Sequence, residues 1–107
     1  MITAEFQYGP EFLQGFTISG HAEMDTEELG YDIVCAAVSA ISLTAALGLK
    51  DVLGIPGSYE SESGFLQARI GNLGNDRSDA VLLTMLRGLQ EIQKQYPDRI
   101  QIKESRR

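Results

Sequence analysis

Two stretches of apolar–polar alternation at the start of the chain limit its fold more than any other feature. Ile2, Ala4, Phe6 and Tyr8 alternate with Thr3, Glu5 and Gln7, and the pattern resumes over residues 12–19 with Phe16 and Ile18 on one face. A period of two marks a strand buried on one side only. Between the two runs Gly9-Pro10-Glu11 breaks the pattern, so residues 2–19 read as a β-hairpin that runs directly into Gly20-His21. A sheet with one apolar face needs a second layer to cover it.

Helices farther along the chain supply that layer. Residues 32–49 are mostly strong or tolerable helix formers, opened by Gly30 and a cap-type Asp32 and punctuated by Gly48. Ala36, Ala37, Ala40, Ala45 and Ala46 make this helix slim, so another backbone can approach it closely, either the sheet or a second copy of the helix. Packing on the core is the simpler role. Gly54-Ile55-Pro56-Gly57 forms a turn, and residues 58–63 and 65–70 read as two strands around Gly64, with Leu66, Ala68 and Ile70 facing inward. A polar loop over 72–78 leads into a second helix, whose Leu82, Met85, Leu86, Leu89 and Ile92 recur at steps of three and four until Pro97 ends it. Ile100 and Ile102 alternate with Arg99, Gln101 and Lys103, the mark of a short last strand. The order ββαββα with a final β predicts an α+β fold, two helices packed on one face of a mixed sheet. At 107 residues the chain has room for one core, hence a single domain over 1–107.

Composition narrows the function classes. With 43% hydrophobic and 22% charged residues the chain matches a globular protein, and no segment is biased enough to stay unfolded. Nine Lys plus Arg against 15 Asp plus Glu give a net charge of -6, which disfavours nucleic acid or an anionic membrane as the main partner and favours a basic one. No apolar stretch is read as approaching the roughly 18 residues of a membrane span, and Met-Ile-Thr-Ala-Glu-Phe carries no basic leader, so a cytoplasmic location is expected. A single cysteine forms no internal disulfide, and with a single histidine it cannot complete a four-ligand zinc site. Neither a metal nor another cofactor is expected.

The chemistry centres on that cysteine and that histidine. A thiol becomes a nucleophile when ionised, and a helix N-terminus or a neighbouring imidazolium favours the thiolate. With Asp32 as N-cap, Cys35 would be the third helical residue, among unpaired backbone N–H groups that also suit a tetrahedral oxyanion. His21, at the end of the second strand, would reach it across the acidic loop of residues 22–30, whose Glu23, Asp25, Glu27 and Glu28 read as solvated charges. Spacing alone does not decide the matter, because a free cysteine is commonly a small buried apolar residue.

The local pattern is more specific. Gly20-His21-Ala22, a short loop, and then Gly30-Tyr31-Asp32-Ile33-Val34-Cys35-Ala36-Ala37-Val38-Ser39-Ala40 closely resemble the signature of the bacterial ribosomal-processing cysteine protease family, Prp. The resemblance implies a homodimeric endopeptidase whose substrate is a ribosomal-protein precursor. It would remove the N-terminal extension of the twenty-seventh protein of the large subunit, cutting after paired aromatic residues and before a small one. His21 matches the family's catalytic histidine and Cys35 its nucleophile, while Gly20, Asp32 and Ser39 match other motif positions. By this resemblance Asp32 caps the helix, orients His21, or does both, and Ser39 either lines the site or bonds back to the helix. The loop between His21 and Asp32 is longer than the family pattern and begins Glu23-Met24 where small residues are usual, which implies a different or more basic extension as substrate.

Two other readings compete. One is a non-catalytic dimeric interaction module associated with ribosome assembly, using the alanine-rich helix and burying Cys35. The other takes Gly54-Ile55-Pro56-Gly57 as the GxxG loop of a KH-type RNA binder, although no basic residue stands between its glycines.

Overall fold

The computed structural model describes residues 1–20 and 29–106, with side chains from residue 33 onward in the second stretch. Strand β1 (Ile2–Tyr8) and strand β2 (Leu13–Ser19) form the expected antiparallel hairpin, in the register Thr3↔Ser19 to Tyr8↔Leu13. The Gly9 N–H donates to the Phe12 carbonyl at 2.9 Å and closes the turn. Helix α1 (Leu29–Leu47) follows, continued by a single π-helical turn over Gly48–Val52. Strands β3 (Ser58–Glu62) and β4 (Phe65–Arg69) make a second hairpin around Gly64, and helix α2 (Asp76–Gln95) then leads to β5 (Ile100–Arg106).

The five strands lie in the order β3-β4-β2-β1-β5, all neighbours antiparallel except β1 and β5, which run parallel. Helices α1 and α2 pack against this mixed sheet, the α+β arrangement that the element order predicts. Ile2, Ala4, Phe6, Phe16, Ile18, Ala68 and Ile100 are buried on the covered face, in one cluster with Val34, Val38 and Leu49 of the first helical segment and Leu82, Met85 and Leu89 of α2. Each of the larger side chains taken fully out of water contributes about 1.5–3 kcal/mol. The opposite face carries Thr3, Glu5, Gln7, Thr17 and Gln67, and the Gln67 amide donates to Thr17 Oγ1 at 3.1 Å.

Three expectations change. The polar run 72–78 is not all loop, since α2 already begins at Asp76: the Asn75 side chain accepts from the Ser78 N–H at 2.9 Å while Ser78 Oγ accepts from the Asn75 N–H at 2.8 Å. This reciprocal cap satisfies donors that a helix start otherwise leaves unpaired. The stretch Ile33–Val52 is, against expectation, long and apolar enough to cross a membrane by composition, and about a third of it is buried within the fold. Finally, Gly57 has a packing role, because a Cβ there would run into the Arg69 carbonyl oxygen of β4. That contact accounts for Gly57, whereas Gly54 takes a left-handed φ of +62° with open space around it.

The cap yields a stability prediction. Replacing Asn75 with alanine removes the acceptor of the Ser78 N–H, and urea unfolding should show a loss of about 1 kcal/mol, with Asn75→Gly losing less.

Candidate active site

Cys35 is a free, half-buried cysteine on α1. Steps of four and three residues return to nearly the same side of a helix, so Ser39 and Ser42 follow Cys35 along one flank. That flank forms one wall of a cleft of about 190 Å³. The opposite wall is the end of the β3–β4 hairpin, with Ser61, Glu62, Gly64 and Phe65, and Ile2, Ile18 and Gly20 contribute from the ends of β1 and β2.

Gly20 joins the two hairpins. Its N–H donates to the Gly64 carbonyl at 3.0 Å, which ties the tip of the second hairpin to the end of β2. Its φ of +87° lies in the region that side chains avoid, and a Cβ would run into the Met1 carbonyl oxygen. Only glycine fits there. The chain direction on leaving β2, immediately before His21, is thereby set at the edge of the cleft that holds Cys35.

The structure thus brings Gly20, Cys35 and Ser39 of the predicted set to one cleft. His21 and the acidic loop over 22–28 lie outside the described residues. The helix differs from expectation: α1 already includes Leu29, so Asp32 lies within it and is not its N-cap, and Cys35 lies beyond its first turn. The unpaired N–H groups and the positive end of the helix dipole belong to the first turn, so the backbone at Cys35 does not supply them. Gly30 is tolerated inside the helix because propensity is a weak preference that packing overrides.

Residues distant in sequence complete the cleft. Glu62 and Phe65 are a cross-strand pair at the end of the second hairpin, and nothing in their local sequence sets them apart from any other strand residues. Ser42 is fully buried beneath the cleft, and its Oγ has no hydrogen-bond partner among the described residues. Leaving a buried hydroxyl unpaired costs about 1–3 kcal/mol. The signal for Ser42 was available, since it continues the Cys35–Ser39 flank by a further step of three.

Comparison with known proteins places the chain and its fold in one group. The family model for cysteine protease Prp matches residues 1–101. The chain belongs to the Prp family. A ribosomal processing cysteine protease Prp from Staphylococcus aureus strain Mu50 is 35% identical over 92 residues, which cover 79% of this chain and 80% of that protein. The crystal structure of an essential ribosomal processing protease Prp from S. aureus, in complex with a covalently linked product peptide, superposes with a TM-score of 0.83 at 27% identity, covering 98% of this chain and 100% of the other. The same S. aureus protease in complex with a substrate peptide gives a TM-score of 0.84 at 25% identity, with the same coverage. SMU.848 from Streptococcus mutans, at 24% identity and a TM-score of 0.80 over 100% of this chain and 96% of its own, shares the fold. As a Prp family member the chain is a cysteine protease, a hydrolase.

The constraint at Gly20 is testable without any substrate. Gly20→Ala should lower stability by about 1–3 kcal/mol in chemical denaturation, because it combines an unfavourable φ with a collision against the Met1 carbonyl.

Proposed function

We propose that this Prp family protease acts through Cys35 as nucleophile and His21 as base, and that its substrate is a ribosomal-protein precursor from which it removes an N-terminal extension. The observation that carries the assignment is that Cys35, the only cysteine of the chain, lines the same cleft as Gly20, the residue immediately before the only histidine. His21 takes the thiol proton, the thiolate attacks the scissile carbonyl, and the proton passes to the leaving amine as the acyl-enzyme forms. Water then hydrolyses the thioester and restores the thiol. Asp32 and Ser39 support the site, Ser39 from the cleft wall.

The substrate assignment rests on the family and on charge. The S. aureus relatives are named as ribosomal processing proteases, and the resemblance to the family points to the twenty-seventh protein of the large subunit. A net charge of -6 favours a basic protein over RNA as the partner. Ribosomal proteins are made in the cytoplasm, and we infer that the protease works there.

We also infer a homodimer. Ile33, Ala36, Ala40 and Thr44 are exposed on α1 with no charge among them. On the side toward α2 a hollow of about 740 Å³ is floored by small residues at steps of four, Ala40, Thr44 and Gly48 on one side and Ala80, Thr84 and Gly88 on the other. Small residues let a second helix approach closely, and the matching apolar surface of another copy suits them.

Two experiments follow. Cys35→Ala should abolish cleavage of the precursor while leaving peptide binding intact, and His21→Ala should remove most turnover. The double variant should be about as inactive as either single one, because the pair acts as a unit. Wild-type cleavage by Cys35→Ala would overturn the nucleophile assignment and favour the interaction-module reading. Light scattering at micromolar concentration should give a dimer mass, with Thr44→Lys shifting it toward the monomer. A monomeric wild-type chain would refute the dimer.

A further inference from the structure

The cleft beside Cys35 continues beyond Ser42. Leu43, Ser61 and Leu66 line it, and the same three residues line a second hollow of about 170 Å³ together with Ala46, Leu47 and Tyr59. The two hollows form one groove between α1 and strand β3, with Lys50 and Glu60 at its far end. Among the described residues strand β3 is an edge strand, paired on one side only, with β4. Its outer row of N–H and C=O groups is available to an added strand.

We propose that this groove holds the substrate as an extended strand and that its far half, walled by Leu43, Leu47, Tyr59 and Leu66, is a second specificity pocket for an apolar side chain. The assignment rests on Cys35 marking the point of cleavage. From Cys35 to Leu47 the helix rises about 1.5 Å per residue, roughly 18 Å in all, and an extended peptide advances about 3.3 Å per residue. The second pocket therefore reads a residue about five positions from the scissile bond, on one side of it.

The wall of this pocket is preorganised. The Tyr59 hydroxyl donates to the Ile55 carbonyl at 2.8 Å, and the ring is half-buried against the core. Burial, followed by the charge of Asp51, raises the Tyr59 pKa above the usual tyrosine value. Leu47 is 53% exposed although it borders this ring, which leaves apolar surface for a substrate side chain to cover.

The test is a leucine walk. Peptides carrying two phenylalanines followed by alanine, within Gly-Ser flanks, receive one leucine at each position from two to seven residues away on either side of the Phe–Ala bond. Wild-type kcat/KM should peak about tenfold above the leucine-free peptide with leucine four to six residues away on one side only. Leu47→Ser, at an exposed position, and Tyr59→Ala should flatten the peak, and Tyr59→Phe should retain it. Affinity of Cys35→Ala for the same peptides, read by fluorescence anisotropy, should peak at the same position. A flat leucine profile in both readouts, or a peak that survives Leu47→Ser and Tyr59→Ala alike, would overturn the groove. A binding peak without cleavage by the wild-type chain would keep the groove and overturn the protease assignment to these peptides, whereas cleavage with a flat profile would overturn the groove alone.

Discussion

The cleft depends on the burial of one stripe of α1. Val34, Val38 and Ala45, joined by Leu49 in the turn that follows, sink into the cluster formed by the covered face of the sheet, and this fixes the rotation of the helix about its own axis. Once that rotation is set, Cys35, Ser39 and Leu43 have no freedom to point elsewhere; they fall on the flank that looks toward the β3–β4 hairpin. A shift of one residue in the helical register would cost the burial of several apolar side chains at about 1.5–3 kcal/mol each. The candidate nucleophile is thus held in place by residues that never touch a substrate.

The opposite wall is held by the sheet. Strand β4 pairs with β2 from Gly15↔Arg69 to Ser19↔Phe65, so the hairpin end carrying Glu62 and Phe65 is registered against the same strand that delivers Gly20. The hydrogen bond from Gly20 to Gly64 closes this frame at its tip. Both glycines take a positive φ, and at Gly20 a side chain would collide with the Met1 carbonyl. The Ser42 hydroxyl below it, without a partner among the described residues, is tolerable because the surrounding apolar burial is large compared with the cost of one unsatisfied group.

The slim character of α1 serves both of its flanks. On one side the small residues Cys35, Ser39 and Ser42 leave room for the cleft; on the other, Ala40, Thr44 and Gly48 leave the hollow against α2. A helix with large residues at these positions would bury more area and offer neither concavity. Composition that resembles a membrane span is here the consequence of a helix with three occupied or available faces and no charge between Ile33 and Leu49.

Much of the architecture follows from local sequence, because strand and helix periodicity are properties of neighbouring residues. The alternation of Ile2, Ala4 and Phe6, the spacing of Leu82, Met85 and Leu89, and the breaks at Gly9-Pro10 and Pro97 determine the element order, and the Gly20-His21 and Cys35 pattern marks the family. That the helix already includes Leu29 was not legible, since Gly30 and Asp32 imitate a helix opening and only packing decides how far a helix extends. Nor was the parallel pairing of β5 with β1, a contact across nearly the whole chain that no local signal encodes. The second wall of the cleft is of the same kind: Ser61, Glu62 and Phe65 are ordinary strand residues until β4 docks on β2. The sequence by itself determined the element order and the family pattern around Gly20 and Cys35; the tertiary structure alone decided what faces Cys35, because a cleft is a relation between segments that are distant along the chain.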